Sequence, residues 1–261
     1  MKHRTLVASG LVIYLLGLLA TAPPTLIDAA LERVSDGKVR LAEATGSLWS
    51  GAGQVEMRNA GGHSALSQRL VWRLLPESLL RGHLIAEIQI DQAIRPFPLT
   101  LTLSPTRIEL ANVDISMPAT DLGVFVARLA PLGLSGDIAV HIGNLSIERE
   151  QVFGRVTLQL RNAGSPLSPV APLGDYEFNF DGEGSTVRVL LRTMRGPLQL
   201  DGNGSWATGG SGSSGDNVKS GENAGFHATA HVPARHEQQL APLLRLIAQE
   251  RGAGSFELET R

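Results

Sequence analysis

No cysteine occurs anywhere in the chain, which removes thiolate catalysis, cysteine-bound zinc and disulfide staples in one step. A chain without staples is compatible with an oxidising compartment and does not require one. Charge of one sign is also lacking. With 23 basic and 25 acidic residues the net charge is −2, so no electrostatic case exists for nucleic acid as a partner. The short enzyme signatures are missing too: there is no G-x-S-x-G elbow, no P-loop and no H-E-x-x-H. Seven histidines remain. His227 and His231 would share one face of a strand but stand ~13 Å apart along it, too far for joint ligation. His236 opens a helical pattern, and Asp175, Asp181 and Asp201 are scattered at strand ends where turns want them. Glycines flank strand patterns and do not open a helix, as a phosphate cradle would need. The expectation is a protein with no enzymatic activity, no cofactor and no metal.

Long hydrophobic runs are absent with one exception. After the basic Met1-Lys2-His3-Arg4, residues Leu6 to Ala22 form an apolar stretch without a charge, stopped by Pro23-Pro24. Its length is at the lower end of what crosses a bilayer core of ~30 Å, and the charge bias puts the Lys2/Arg4 end in the cytoplasm. Ala20-Thr21-Ala22 also fits a signal-peptide cleavage site. Tyr14 within the run and the prolines directly after it favour an uncleaved single-pass anchor. On either reading the remainder is exported. Residues 1–24 are thus read as cytoplasmic tip and anchor. Residues 25–37 are read as a connector carrying a short helix over Asp28–Val34, ended by the turn signal Ser35-Asp36-Gly37.

From Lys38 onward the period is two. Leu84, Ala86, Ile88 and Ile90 alternate with polar neighbours, as do Val156, Leu158 and Leu160, then Tyr176, Phe178 and Phe180, then Val187, Val189 and Leu191. Such alternation predicts antiparallel strands with one face buried and one solvated. Weaker strand patterns cover Leu99–Leu103, Arg107–Ile115, Ile138–Ile142 and Leu198–Gly202. Residues 38–261 are therefore expected as one mainly β domain, a curved, groove-like and mostly antiparallel sheet with a few short capping helices. Two segments carry helical spacing instead. Leu122, Phe125, Val126 and Leu129 follow a Thr120-Asp121 cap signal, and Leu240, Leu243, Leu244 and Ile247 repeat the pattern. A leucine-rich turn, a glycine and an alternating strand recur three times, at 74–91, 125–142 and 243–259. Ala207–Ala224 is rich in Gly and Ser, with too little apolar surface to offset its ordering entropy, and is expected as a flexible hairpin insertion.

The segment Gly46-Ser47-Leu48-Trp49-Ser50-Gly51 places a tryptophan between two glycines before the alternation begins. It predicts a strand–turn–strand corner in which the glycines make room and Trp49 is a core anchor. This segment, a few tens of residues after an N-terminal apolar helix, resembles the type II secretion system protein N family. So do Pro172-Leu173-Gly174-Asp175-Tyr176 and the run from Gly196, Pro197 and Leu198 through Gly202 and Gly204 to Trp206. AsmA-like periplasmic proteins share similar strand grammar. The resemblance implies an accessory component of the bacterial inner membrane, with its bulk in the periplasm contacting other secretion subunits. The AsmA-like likeness implies an alternative, a concave apolar face that handles lipid or another hydrophobe. Periodicity does not separate the two, because a packed core and an open groove share one pattern.

Overall fold

Apolar side chains every second residue make strands wherever the chain can pair them, and the pairing here is antiparallel between sequence neighbours almost throughout. The computed structural model describes residues 10, 14, 17, 21–58, 64–91, 98–121, 127–208, 225–233, 239–240, 249–252 and 255–260. The chain divides into two units, residues 1–91 and residues 92–261.

Among its described residues the first unit has helix α1 (Thr25–Val34) and the strands β1 (Val39–Gly46), β2 (Ser50–Arg58), β3 (Ser64–Leu75) and β4 (Leu84–Ile90). Pairings such as Gly46↔Gly51, Gly51↔Trp72 and Trp72↔Ile88 run across them as a meander. A 3-10 turn at Pro76–Arg81, closed by Gly82 in the left-handed region (φ 77°), links β3 to β4, as the leucine-rich turn before Gly82 suggested. Ser78 is buried there, donating to the Leu75 carbonyl and accepting from the Ile85 N–H at 3.0 Å. Over Val39–Leu41 the outer edge of β1 is capped by side chains from the helix and the turn after it. The Val39 N–H donates to Ser35 Oγ at 2.9 Å and the Leu41 N–H to Asp28 Oδ1 at 2.8 Å. Arg40 clasps the same Asp28 through two nitrogens, at 3.0 and 2.7 Å. A strand edge covered in this way does not recruit a foreign strand.

The second unit contains, among the described residues, ten strands. They are β5 (Leu99–Leu103), β6 (Arg107–Pro118), β7 (Ser135–Glu148), β8 (Gln151–Gly164), β9 (Gly174–Gly184), β10 (Thr186–Arg195), β11 (Gln199–Ala207), β12 (Gly225–His231), β13 (Gln249–Gly252) and β14 (Ser255–Thr260). Neighbours pair in sequence order from β5 to β12; β14 then lies against β12, with β13 outside it. Pairing puts Met117, Ile138, Leu160 and Tyr176 in one row across the sheet, and Ile115, Val140, Leu158, Phe178 and Leu191 in the next. At one end of this face Ile138, Leu160, Tyr176, Ala228 and Ala230 pack with Leu173, Leu198, Val232 and Leu240 into a closed core.

Strands expected from alternation are present, and β6, β7 and β8 run longer than expected. The helical expectations fare differently. Residues 122–126 lie outside the described residues, and their flanks Ala119–Asp121 and Ala127–Leu132 are 3-10 turns. Thr120-Asp121 therefore stands in a 3-10 turn, and the helix expected after it would begin in residues outside those described. Pro131, with no N–H to give, and Gly133 in the left-handed region close the second turn. Of the last amphipathic segment, Gln239 and Leu240 are helical, and 241–248 lie outside the described residues. The third leucine-rich repeat does not hold as a helical turn through Arg251, because Gln249–Gly252 is strand β13, paired to β14. Of the Gly/Ser insertion expected over Ala207–Ala224, Ala207 is the last residue of β11 and 209–224 lie outside the described residues. The insertion joins β11 to β12, which pair antiparallel up to Ser205↔Gly225, as a hairpin insertion requires. Of the apolar run at 6–22, residues 10, 14 and 17 are helical and most others lie outside the described residues. Among the described residues no helix is long and apolar enough to cross a membrane.

Candidate functional site

The glycine-flanked corner is the turn between β1 and β2. Ser47 closes it: its N–H donates to the Ser50 carbonyl at 2.8 Å, and its Oγ accepts from the Trp49 and Ser50 N–H groups at 3.2 Å each. Gly46 has φ 95°, and a Cβ there would stand 2.5 Å from the Ser50 carbonyl oxygen, so only glycine fits. The anchor of this corner is a different tryptophan from the one expected. Trp49 is half-buried, whereas Trp72, from β3, is 4% exposed. A Cβ on Gly51 would come within 2.5 Å of the Trp72 ring, so this glycine leaves room for Trp72. The indole N–H of Trp72 donates to the carbonyls of Ser47 and Leu48, at 3.3 and 3.1 Å. The Leu48 N–H in turn donates to the Ala22 carbonyl at 2.8 Å, and the Leu74 N–H donates to the Trp49 carbonyl at 2.7 Å. The corner thus ties the residue that ends the apolar run to the first unit's sheet.

The other two glycine-bearing segments meet each other. Gly196, Pro197 and Leu198 form the turn between β10 and β11, beside Leu173, Gly174 and Tyr176. Gly196 has φ 135°, and a Cβ on it would lie 2.3 Å from the Gly174 Cα. Leu198 is 2% exposed; its N–H donates to the Leu173 carbonyl at 3.1 Å, and its carbonyl accepts the Tyr176 hydroxyl at 3.0 Å. Burial pushes the Tyr176 phenol well above its usual range, which keeps it a donor. Further along β11, Gly202 and Gly204 face Ala228 and Phe226 at distances that a Cβ would close to 2.7–3.1 Å. Trp206 stacks on Phe226 with ring centroids 6.4 Å apart and remains 39% exposed. These residues are scaffold: they hold strand ends and ring faces together and present no reacting group.

What the scaffold presents is a polar face. Register sets Gln159, Glu177 and Arg192 side by side on β8, β9 and β10. Glu177 is the centre of this row, buried to 6% exposure. It accepts from Gln159 at 2.9 Å, from Asn179 at 2.9 Å and from two Arg192 nitrogens at 3.0 and 2.5 Å. The Asn179 amide first, then Gln159 and Arg192, hold its carboxyl below the usual range. Asp175 is held low in the same way, chiefly by the Asn162 backbone N–H at 2.7 Å and next by Arg195. Outward from this row, Arg155 pairs with Asp181 at 2.5 Å and Arg188 with Glu183 at 2.9 Å. Asn179, Asp181, Arg188, Asn203, Ser205 and His227 line a shallow cleft of about 550 Å³. Alternation shows which residues face solvent on each strand; which strand neighbours pair is a matter of register, and no single strand carries it.

Among the described residues, the opposite, apolar face is closed over the core at one end. Pairing continues the core rows into Ile108, Ile147 and Val152, and into Val187 beside Trp206. Ile108 is 44% exposed and Ile147 38%. His227 and His231 are exposed on β12, and among the described residues no group of histidines and carboxylates could hold a metal.

One family model, described as Type II secretion system (T2SS), protein N, matches residues 37–259. No curated protein and no solved structure matches the chain.

Proposed function

Because this chain belongs to the type II secretion system protein N family, we propose that it is a non-enzymatic accessory component held at the bacterial inner membrane. Residues 6–22 cross the membrane, with Lys2 and Arg4 on the cytoplasmic side. Both β units lie in the periplasm, where the polar face of β8–β11 contacts other subunits of the secretion system. The observation that carries this reading is the family match, which spans nearly the whole exported body. The polar face adds to it. Arg155 and Arg188 have side chains 69% and 63% exposed, set beside the row centred on the buried Glu177 carboxylate. Exposed charges over an ordered polar row can steer and register a partner without adding to the core.

Charge reversal tests it. Surface ion pairs contribute about 0–1 kcal/mol to stability, so Arg155→Glu with Arg188→Glu leaves the protein at normal abundance. Secretion of type II substrates is expected to fall about tenfold, equivalent to ~1.4 kcal/mol of lost contact. Normal secretion at normal abundance would exclude this face as the contact.

A second reading has one observation in its favour. Ile108, Ile147 and Trp206 stay exposed on the face whose other end is core, as a surface for lipid or another hydrophobe would require. Its mark would be phospholipid retained by the detergent-extracted protein in native mass spectrometry.

A further inference from the structure

Helix α1 has two faces of different fate. Ile27, Asp28 and Leu31 turn toward β1, where Arg40 and the Leu41 N–H engage Asp28 and Arg40 also reaches Glu32 at 3.1 Å. The outward face carries Leu26, Ala29, Ala30, Arg33 and Val34, which at ~100° per residue fall within a stripe about 140° wide. Leu26 is 51% exposed and Val34 87%, and no residue of the helix is buried. A solvent-facing helix ordinarily puts polar residues on that side, and here only Arg33 is charged.

We infer that α1 lies flat on the periplasmic surface of the membrane, with this stripe in the headgroup region and its carboxylates turned to β1. The inference rests on the reading of residues 6–22 as a membrane anchor and adds what the chain does on leaving the bilayer. Only Pro23 and Pro24 separate Ala22 from Thr25, so α1 begins within ~10 Å of the end of the apolar run. The Ala22–Leu48 and Asp28–Arg40 bonds fix both ends of that link to the same sheet. The stripe runs the full helix, at i, i+4 and i+8 from Leu26 to Val34, which suits an interfacial helix lying in the plane. If α1 stood upright, Val34 would be ~12 Å farther from the bilayer than Leu26. The occupant is therefore lipid, and Arg33 is placed to meet headgroup phosphates while the apolar residues enter the acyl boundary. Lying flat, α1 would set the height and orientation of the first β unit above the membrane.

The absence of cysteine makes the test direct. Leu26→Cys and Val34→Cys, each labelled with an environment-sensitive fluorophore, are reconstituted as full chain into vesicles of phosphatidylethanolamine and phosphatidylglycerol. Flotation of the vesicles first reports whether the chain is anchored. Phospholipid with a quencher near the headgroup is then expected to reduce emission about twofold at both positions. Quenching at neither position in a chain that floats, or at Leu26→Cys alone, overturns the flat placement and leaves the anchor standing. A folded chain that does not float with the vesicles overturns the anchor reading and this inference together.

Discussion

Replacing Trp72 with alanine is expected to destabilise the first unit by ~3–5 kcal/mol, the cost of removing a large buried side chain and leaving a cavity. Trp72 is 4% exposed, fills the space left by Gly51, and donates to both Ser47 and Leu48. Trp72→Phe keeps most of the volume and loses the indole donor, so an intermediate loss is expected. Trp49→Ala, at a half-buried turn position, should cost less than about 2 kcal/mol. Urea unfolding followed by far-UV circular dichroism ranks the three. A larger loss at Trp49 than at Trp72 would mean the corner is organised around the turn tryptophan instead.

Gly196→Ala is expected to be nearly as damaging, at ~3–5 kcal/mol, from combining a strained backbone with overpacking. The residue sits at φ 135°, and its added Cβ would lie 2.3 Å from the Gly174 Cα and 2.6 Å from the Leu173 carbonyl oxygen. Both contacts are backbone, so neither yields by a side-chain rotation. The turn would have to open, taking with it the Leu198–Leu173 bond and the Tyr176–Leu198 bond that close the core. Gly143 is the control, since nothing lies within 4 Å of a Cβ there; Gly143→Ala should stay within about 0.5 kcal/mol. Equal effects at the two positions would show that the meeting of the two turns contributes nothing.

Much of this fold is legible in the residues. Leu99–Leu103 and the alternation of Tyr176, Phe178 and Phe180 become strands where expected, because period two has few other stable outcomes. β3 carries two patterns at once: Leu66, Leu70 and Leu74 are spaced like a helix, whereas Leu70, Trp72 and Leu74 have the period of a strand. The glycines of the turn signal close approach without saying which ring approaches: the sequence places the core tryptophan at Trp49, the structure at Trp72. The meeting of Gly174 with Gly196 was within reach. A hairpin turning near Ser185 brings the start of β9 beside the end of β10, a pairing that the alternation within either strand alone does not state. The row Gln159–Glu177–Arg192 was beyond reach, because it depends on the register of three strands at once. Of the helical period at 122–129 only the last residues are described, and they lie in a 3-10 turn that contains Pro131.

The central claim is that the polar face of the second unit meets other secretion subunits, and a photo-crosslinking amino acid at two positions tests it in intact cells. Leu190 lies on the polar face and is 50% exposed; Ile147 lies on the apolar face and is 38% exposed. With the protein at normal abundance, the probe at Leu190 is expected to yield adducts to type II secretion subunits, and the probe at Ile147 is not. Lipid adducts at Ile147 with no protein adduct at Leu190 would contradict the account.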